Sequence, residues 1–251
     1  MLAKATLSLL VFHAYLIAPT AWGSPLPDDL GAKLNKPVTS YNLGVSSFAA
    51  ALLRVSRDFQ IPMGIVWVNT PQARAELPFA WKDTTVQEII EALAKSQAGY
   101  QVETRNGVVH VFPSGIIPVP QDFLKLNIED FQVRNDFIEM ASYKLHELVT
   151  PITGSRVISI GAAGDSKVDL KLKNSSVEDV LDALAVSSNR KIWIVTFSED
   201  VGLTPKGLRR TTSLWTDKAI PDAQQPLWEL MRWSDPMPPA LAAKKETSPI
   251  H

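Results

Sequence analysis

The strongest constraint on this chain is that part of it is written twice. Shifted by 91 positions, LPFAWKDTTVQEIIEALA (77–94) lies without a gap over VDLKLKNSSVEDVLDALA (168–185). Lys82/Lys173, Val86/Val177, Ala92/Ala183, Leu93/Leu184 and Ala94/Ala185 are identical, while Asp83/Asn174, Thr85/Ser176, Glu88/Asp179 and Glu91/Asp182 exchange like for like. Self-similarity at a fixed offset marks a structural unit built more than once.

Both copies obey the same local physics. Leu77, Phe79 and Trp81 alternate with their neighbours as Val168, Leu170 and Leu172 do, which predicts a strand with one buried face. Thr85-x-x-Glu88 and Ser176-x-x-Asp179 read as capping boxes opening a helix. Val86, Ile89, Ile90 and Leu93 then recur at helical spacing, as do Val177, Val180, Leu181 and Leu184, giving each helix one core face. A lone strand and helix cannot bury enough to offset their ordering entropy, so each copy needs its flanks.

The flanks extend each copy into a small α+β unit. In the first, 38–43 reads as a strand, a helix begins at Ser47 with Phe48, Leu52, Val55 and Phe59 inward, and 63–68 reads as a buried strand. After the repeated helix, 100–105 and 108–112 flank Asn106-Gly107, a dipeptide suited to the positive φ angles of a tight hairpin. The second unit predicts a strand over 126–133, a helix over 136–148, and strands at 156–160 and 191–197, with no second hairpin arm to follow. The expectation is two tandem β-α-β-β-α-β(-β) units with helices packed on small mixed sheets. They span 38–113 and 124–200, after a lead-in over 24–37 and joined by a proline-bearing linker over 114–123. An irregular tail over 201–251, rich in proline and tryptophan, completes the chain. Its expected content is one short helix over 227–233 and disorder from Pro236 onward.

The first 23 residues carry Lys4, a mostly apolar run over 5–18, Pro19 and the small-residue pattern Ala21-Trp22-Gly23, which is the layout of a secretory signal cleaved near Gly23. A run interrupted by His13 and Tyr15 falls short of the ~20 apolar residues that span a bilayer. No transmembrane span is therefore expected after cleavage. The chain has no cysteine, which excludes disulfides and thiolate chemistry. With 25 basic and 26 acidic side chains it has no general bias toward phosphate backbones, and nucleic acid is not an expected partner.

An alternating strand, a hydroxyl-capped amphipathic helix ending in Leu-Ala at 79–94 and 170–185, and a strand pair turning on Asn106-Gly107 together resemble the short N-terminal domain shared by secretins and TonB-dependent receptors. The likeness covers 38–112 well and 126–197 more loosely. It implies a periplasmic module of a Gram-negative-type envelope that works by protein contact, in secretion or receptor signalling, without catalytic residues. Family members continue into a membrane barrel or a secretin ring. Neither channel nor receptor activity is carried over here, and a free-standing two-module relative is the expectation.

Residues that could carry chemistry read more simply as structure. His110, His146 and His251 have no metal-ligand spacing, and His110 in VVHVF reads as a half-exposed strand residue. The glycine-bearing run 161–167 has the wrong order for a phosphate loop and reads as a connection between strands. Glu178-Asp179 and the pair Glu88 and Glu91 read as solvated helix faces. No enzymatic activity, cofactor or metal is expected. Trp67, Trp81 and Trp193 fall on strands and read as core, whereas Trp215, Trp228 and Trp233 lie outside both repeats and are the candidate partner contacts. An alternative function is binding of a small ligand or cell-wall glycan in a cleft between the units, with Trp215 or Trp228 as a stacking platform.

Overall fold

Both repeated segments fold as their patterns require. In the computed structural model, which describes residues 29–69, 75–114, 123–154, 156–160, 167–188, 192–199, 208–215 and 231–234, each becomes a strand that runs directly into a capped helix. A short helix α1 (Asp29–Leu34) leads in. The first unit runs β1 (Pro37–Ser46), α2 (Phe48–Phe59), β2 (Met63–Asn69), β3 (Leu77–Thr85), α3 (Val86–Lys95), β4 (Tyr100–Arg105) and β5 (Val108–Pro113). The second runs β6 (Asn127–Phe137), α4 (Ile138–Thr153), β7 (Arg156–Ile160), β8 (Lys167–Ser176), α5 (Val177–Ser187), β9 (Ile192–Glu199), β10 (Leu208–Trp215) and β11 (Met231–Ser234). The chain is α+β. Among the described residues no helix is long and apolar enough to cross a membrane, and the apolar run over 5–18 lies outside them.

The capping boxes form in both copies. Thr85 accepts from the Glu88 amide while Glu88 accepts from that of Thr85, and Ser176 with Asp179 repeats the arrangement. Asp83 and Asn174, just before the caps, share a left-handed φ of 48°, which explains their exchange, since Asp and Asn tolerate that region better than most residues. Gly44 (φ 66°) and Asn135 (φ 48°), also 91 positions apart, sit at matching irregularities where β1 pairs with β3 and β6 with β8. The bulge carries β6 through Asp136 and Phe137. The helix expected from Asp136 accordingly starts at Ile138, and it runs past Leu148 to Thr153, ended by left-handed Gly154.

The tail departs most from expectation. The missing hairpin arm exists: β10 pairs antiparallel with β9 from Leu208↔Glu199 to Trp215↔Ile192, reached through residues 200–207 in place of a tight turn. The longer connection removed the local signal that Asn106-Gly107 gives in the first unit. The last three residues of the segment expected as a helix, 231–233, instead belong to strand β11, paired with β10 on one side and β7 on the other, so both rows of its backbone groups find partners. Residues 227–230 and those from Pro236 onward lie outside the described residues.

The two units are not separate beads. Strand β2 of the first pairs in parallel with β9 of the second, from Met63↔Ile192 to Asn69↔Ser198, fusing a sheet of order β4-β5-β2-β9-β10-β11-β7. The pairs β1-β3 and β6-β8 form separate two-stranded sheets. At the seam the large sheet is buried on both faces. Met63, Ile65, Val109, Val111, Ile192 and Ile194 face the core of the first unit. Val66, Val68, Val108, Trp193, Val195 and Phe197 join the core of the second. Two-sided burial is why MGIVWV, VVHVF and IWIVTF read as near-continuous apolar runs.

Gly64 holds the centre of this seam, opposite His110 on one side and Trp193 on the other. A Cβ there would overlap Cζ2 and Cε2 of the Trp193 indole, which lies across the glycine. Gly64→Ala should therefore destabilise the protein by about 1–3 kcal/mol through overpacking. Gly31→Ala, where a Cβ meets nothing within 4 Å, should be neutral or mildly stabilising; urea unfolding of the two variants compares them.

Candidate functional site: the seam between the units

Among the described residues, the most concentrated chemistry lies at this seam. The hairpin of the first unit supplies Arg105 at the end of β4, Asn106 in the turn and His110 on β5; the second unit supplies Glu178, Asp179 and Asp182 from α5 and Trp193 from β9. The cations come from one unit and the carboxylates from the other. His110 and Asp182 are each only 1% exposed and Trp193 is fully buried.

The contacts form one network. Asp182 accepts from Trp193 Nε1 at 2.9 Å through Oδ1 and from Asn106 Nδ2 at 3.3 Å through Oδ2. His110 Nε2 lies 3.2 Å from Asp182 Oδ2, an ion-pair contact whose angle falls short of an aligned hydrogen bond, and Nδ1 lies 3.3 Å from Glu178 Oε1. Arg105 Nη2 pairs with the same Glu178 oxygen, and Asn106 Nδ2 also reaches Asp179 Oδ1 at 3.2 Å. The rings of His110 and Trp193 meet edge to face, centroids 5.6 Å apart, over the space that Gly64 leaves.

Burial works against a charged His110, but the Asp182 and Glu178 carboxylates outweigh it and raise its pKa to about 9. Burial likewise favours a neutral Glu178, yet His110 and Arg105 hold its pKa below the ordinary carboxylate range. His110 and Arg105 thus face Glu178 and Asp182 as two charge-balanced pairs. An enclosed, protonated imidazole has no lone pair to offer a substrate at neutral pH; what this arrangement does chemically is clamp one unit to the other. Among the described residues no group of three or more histidine or acidic side chains is placed to hold a metal ion.

Two sequence expectations are corrected here. His110 is buried rather than half exposed, because β5 is covered on both faces. Glu178 does not lie on a solvated face, because α5 turns toward the hairpin of the other unit. Where both units are described, strand pairing and the charged cluster join them. A histidine inside an apolar run without alternation was the available signal, since such a run implies burial on both sides. Asp182 gave none, as its repeat partner Glu91 is a half-exposed helix residue.

Trp215 ends β10 opposite Ile192, and Trp233 lies in β11 opposite Thr212 and Val157, so both backbones belong to the large sheet. Trp228 lies outside the described residues. Of the strand tryptophans, Trp193 is core, while Trp67 and Trp81 are partly buried against the core of the first unit.

A different surface is open. Helix α4 buries Ile138, Ala141, Leu145 and Val149, yet its other side carries Met140 (55% exposed), Tyr143, Leu148 and Ile152 (58%), with exposed Phe137 just before it. Lys144 and Glu147 sit among them. A two-sided apolar helix at a protein surface is an interaction feature.

Two measurements check the seam. Asp182→Ala leaves His110 and the Trp193 N–H without their shared acceptor and should cost about 3–5 kcal/mol, whereas Glu91→Ala at the matching repeat position should stay within about 0.5 kcal/mol. The pH dependence follows from the raised pKa of His110. Its contribution is complete below the ordinary histidine value of about 6.5 and is lost as pH rises through about 9. The melting temperature of the native chain should thus fall more steeply over that window than that of His110→Gln.

The chain matches no protein-family model and no curated protein sequence.

Proposed function

We propose that this chain is an exported, tandem interaction module of a bacterial envelope, akin to the short N-terminal domains of secretins and TonB-dependent receptors and acting through protein contact. The observation that carries this reading is the outer face of α4, where Met140, Tyr143, Leu148 and Ile152 present apolar surface beside exposed Phe137. The duplicated strand, hydroxyl cap and amphipathic helix support the likeness to those domains, because that succession is the pattern on which the resemblance rests. The clamped seam supports the role as well: a partner meets one preorganised body, and less ordering entropy opposes its binding. The apolar run over 5–18 followed by Ala21-Trp22-Gly23 supports export.

The test is photo-crosslinking in the native bacterium from a reactive residue placed at Met140 or Ile152. The expected result is a discrete adduct with an envelope protein, on a chain whose mature form begins near Ser24. The combined change Met140→Ser, Leu148→Ser and Ile152→Ser should weaken that adduct while leaving the melting temperature nearly unchanged. Uncrosslinked monomer alone, recovered from the cytoplasm with its N-terminus intact, would sink the proposal.

A further inference from the structure

Among the described residues, the repeat places an occupied groove and one without a strand at the same position of its two copies. In the second unit, α5 and β9 border a groove whose strand edge is taken by β2, running parallel to β9. Its acidic wall, Glu178 and Asp182, receives the cations Arg105 and His110. Moving back 91 positions, Asp182 becomes Glu91, Glu178 becomes Gln87, Leu181 becomes Ile90, Trp193 becomes Val102 and Val195 becomes Thr104.

Those counterparts border a shallow cleft of about 150 Å³ between α3 and β4, which Leu34 of α1, Glu103 and Val109 also line. Strand β4 is the end strand of the seven-stranded sheet, paired with β5 alone among the described residues. Gln101, Glu103, Thr104 and Arg105 along it are exposed. Where the second unit has a strand and two cations, the first has, among the described residues, an edge without a second strand and a carboxylate, Glu91, whose neighbours are Gln87 at 2.9 Å and Lys95 at 3.7 Å.

We infer that the β4 edge and α3 form a strand-accepting groove for an extended segment of a partner protein, one that runs parallel to β4 and carries basic side chains toward Glu91 and Glu103. Backbone pairing along β4 supplies the affinity common to β-augmentation, and the side chains supply the selection. An aliphatic position of the incoming strand covers the half-buried Val102. A basic residue on the α3 side repeats what His110 does to Asp182, and one on the other side makes a cross-strand pair with Glu103. The inference rests on the reading of the chain as an interaction module.

The experiment uses the full mature chain and three short peptides: alternating lysine and valine, alternating glutamate and valine, and the lysine peptide interrupted by proline. Amide exchange of β4 is measured first without peptide, and the outward amides of Tyr100–Arg105 should exchange freely. The lysine peptide should slow them, bind at least about tenfold more tightly than the glutamate peptide, and lose binding when interrupted by proline. Glu91→Lys should reverse the charge preference in a chain that stays folded, its melting temperature lowered only slightly by loss of the Lys95 pair. Protection of β4 before peptide is added, whether by another part of the chain or by a second copy seen in sedimentation, overturns the inference. So does protection mapped elsewhere, equal affinity for both charge patterns, or binding indifferent to proline. Crosslinking from Met140 tests the module reading on another surface, so the two can fail separately.

Discussion

Everything distinctive in this molecule depends on the parallel pairing of β2 with β9. Without it there would be two small units, each with a narrow sheet and an exposed edge. With it, three central strands, β5, β2 and β9, become buried on both faces, and each unit packs its helices on its own side of one sheet. Isolated edges invite uncontrolled pairing with other chains. Here the duplication turns two of those edges into an internal joint.

The joint also sets the chemistry at its centre. Parallel register brings Gly64 between His110 and Trp193, and the empty space at the glycine lets the two rings meet under α5. Buried ions are expensive to desolvate, and apolar packing of similar volume is often as stable. What the carboxylates of α5 and the cations of the first hairpin add is direction: a shifted register or a rotated α5 would leave charges buried and unpaired. The cluster thus selects one way of joining the units.

Duplication supplied the scaffold and divergence supplied the seam. Glu91 and Asp182 occupy one repeat position, but the first points to a surface cleft and the second is sealed beneath the neighbouring unit. The same holds for Gln87 and Glu178. A carboxylate that is an ordinary surface residue in one copy became an anchor in the other once a strand and two cations arrived beside it. Among the described residues the unequal copies leave one groove filled and one without a strand.

Much of the fold was legible in the letters, because it rests on local rules. Alternation, capping boxes and helical stripes placed β3, α3, β8 and α5, and Asn106-Gly107 placed the β4–β5 turn. Strand β10 was not legible, since a connection over 200–207 carries no hairpin signature, and β11 formed where helix periodicity was expected because two sheet edges were there to receive it. The seam was hidden for a related reason: Arg105, His110, Glu178, Asp182 and Trp193 are scattered along the chain and share no motif. The sequence by itself determined two copies of one α+β unit, through residue patterns that act over a few positions. Only the tertiary structure decided that the copies share a sheet, which side chains their junction buries, and which groove a strand fills, because those outcomes depend on strand pairing between residues more than a hundred positions apart.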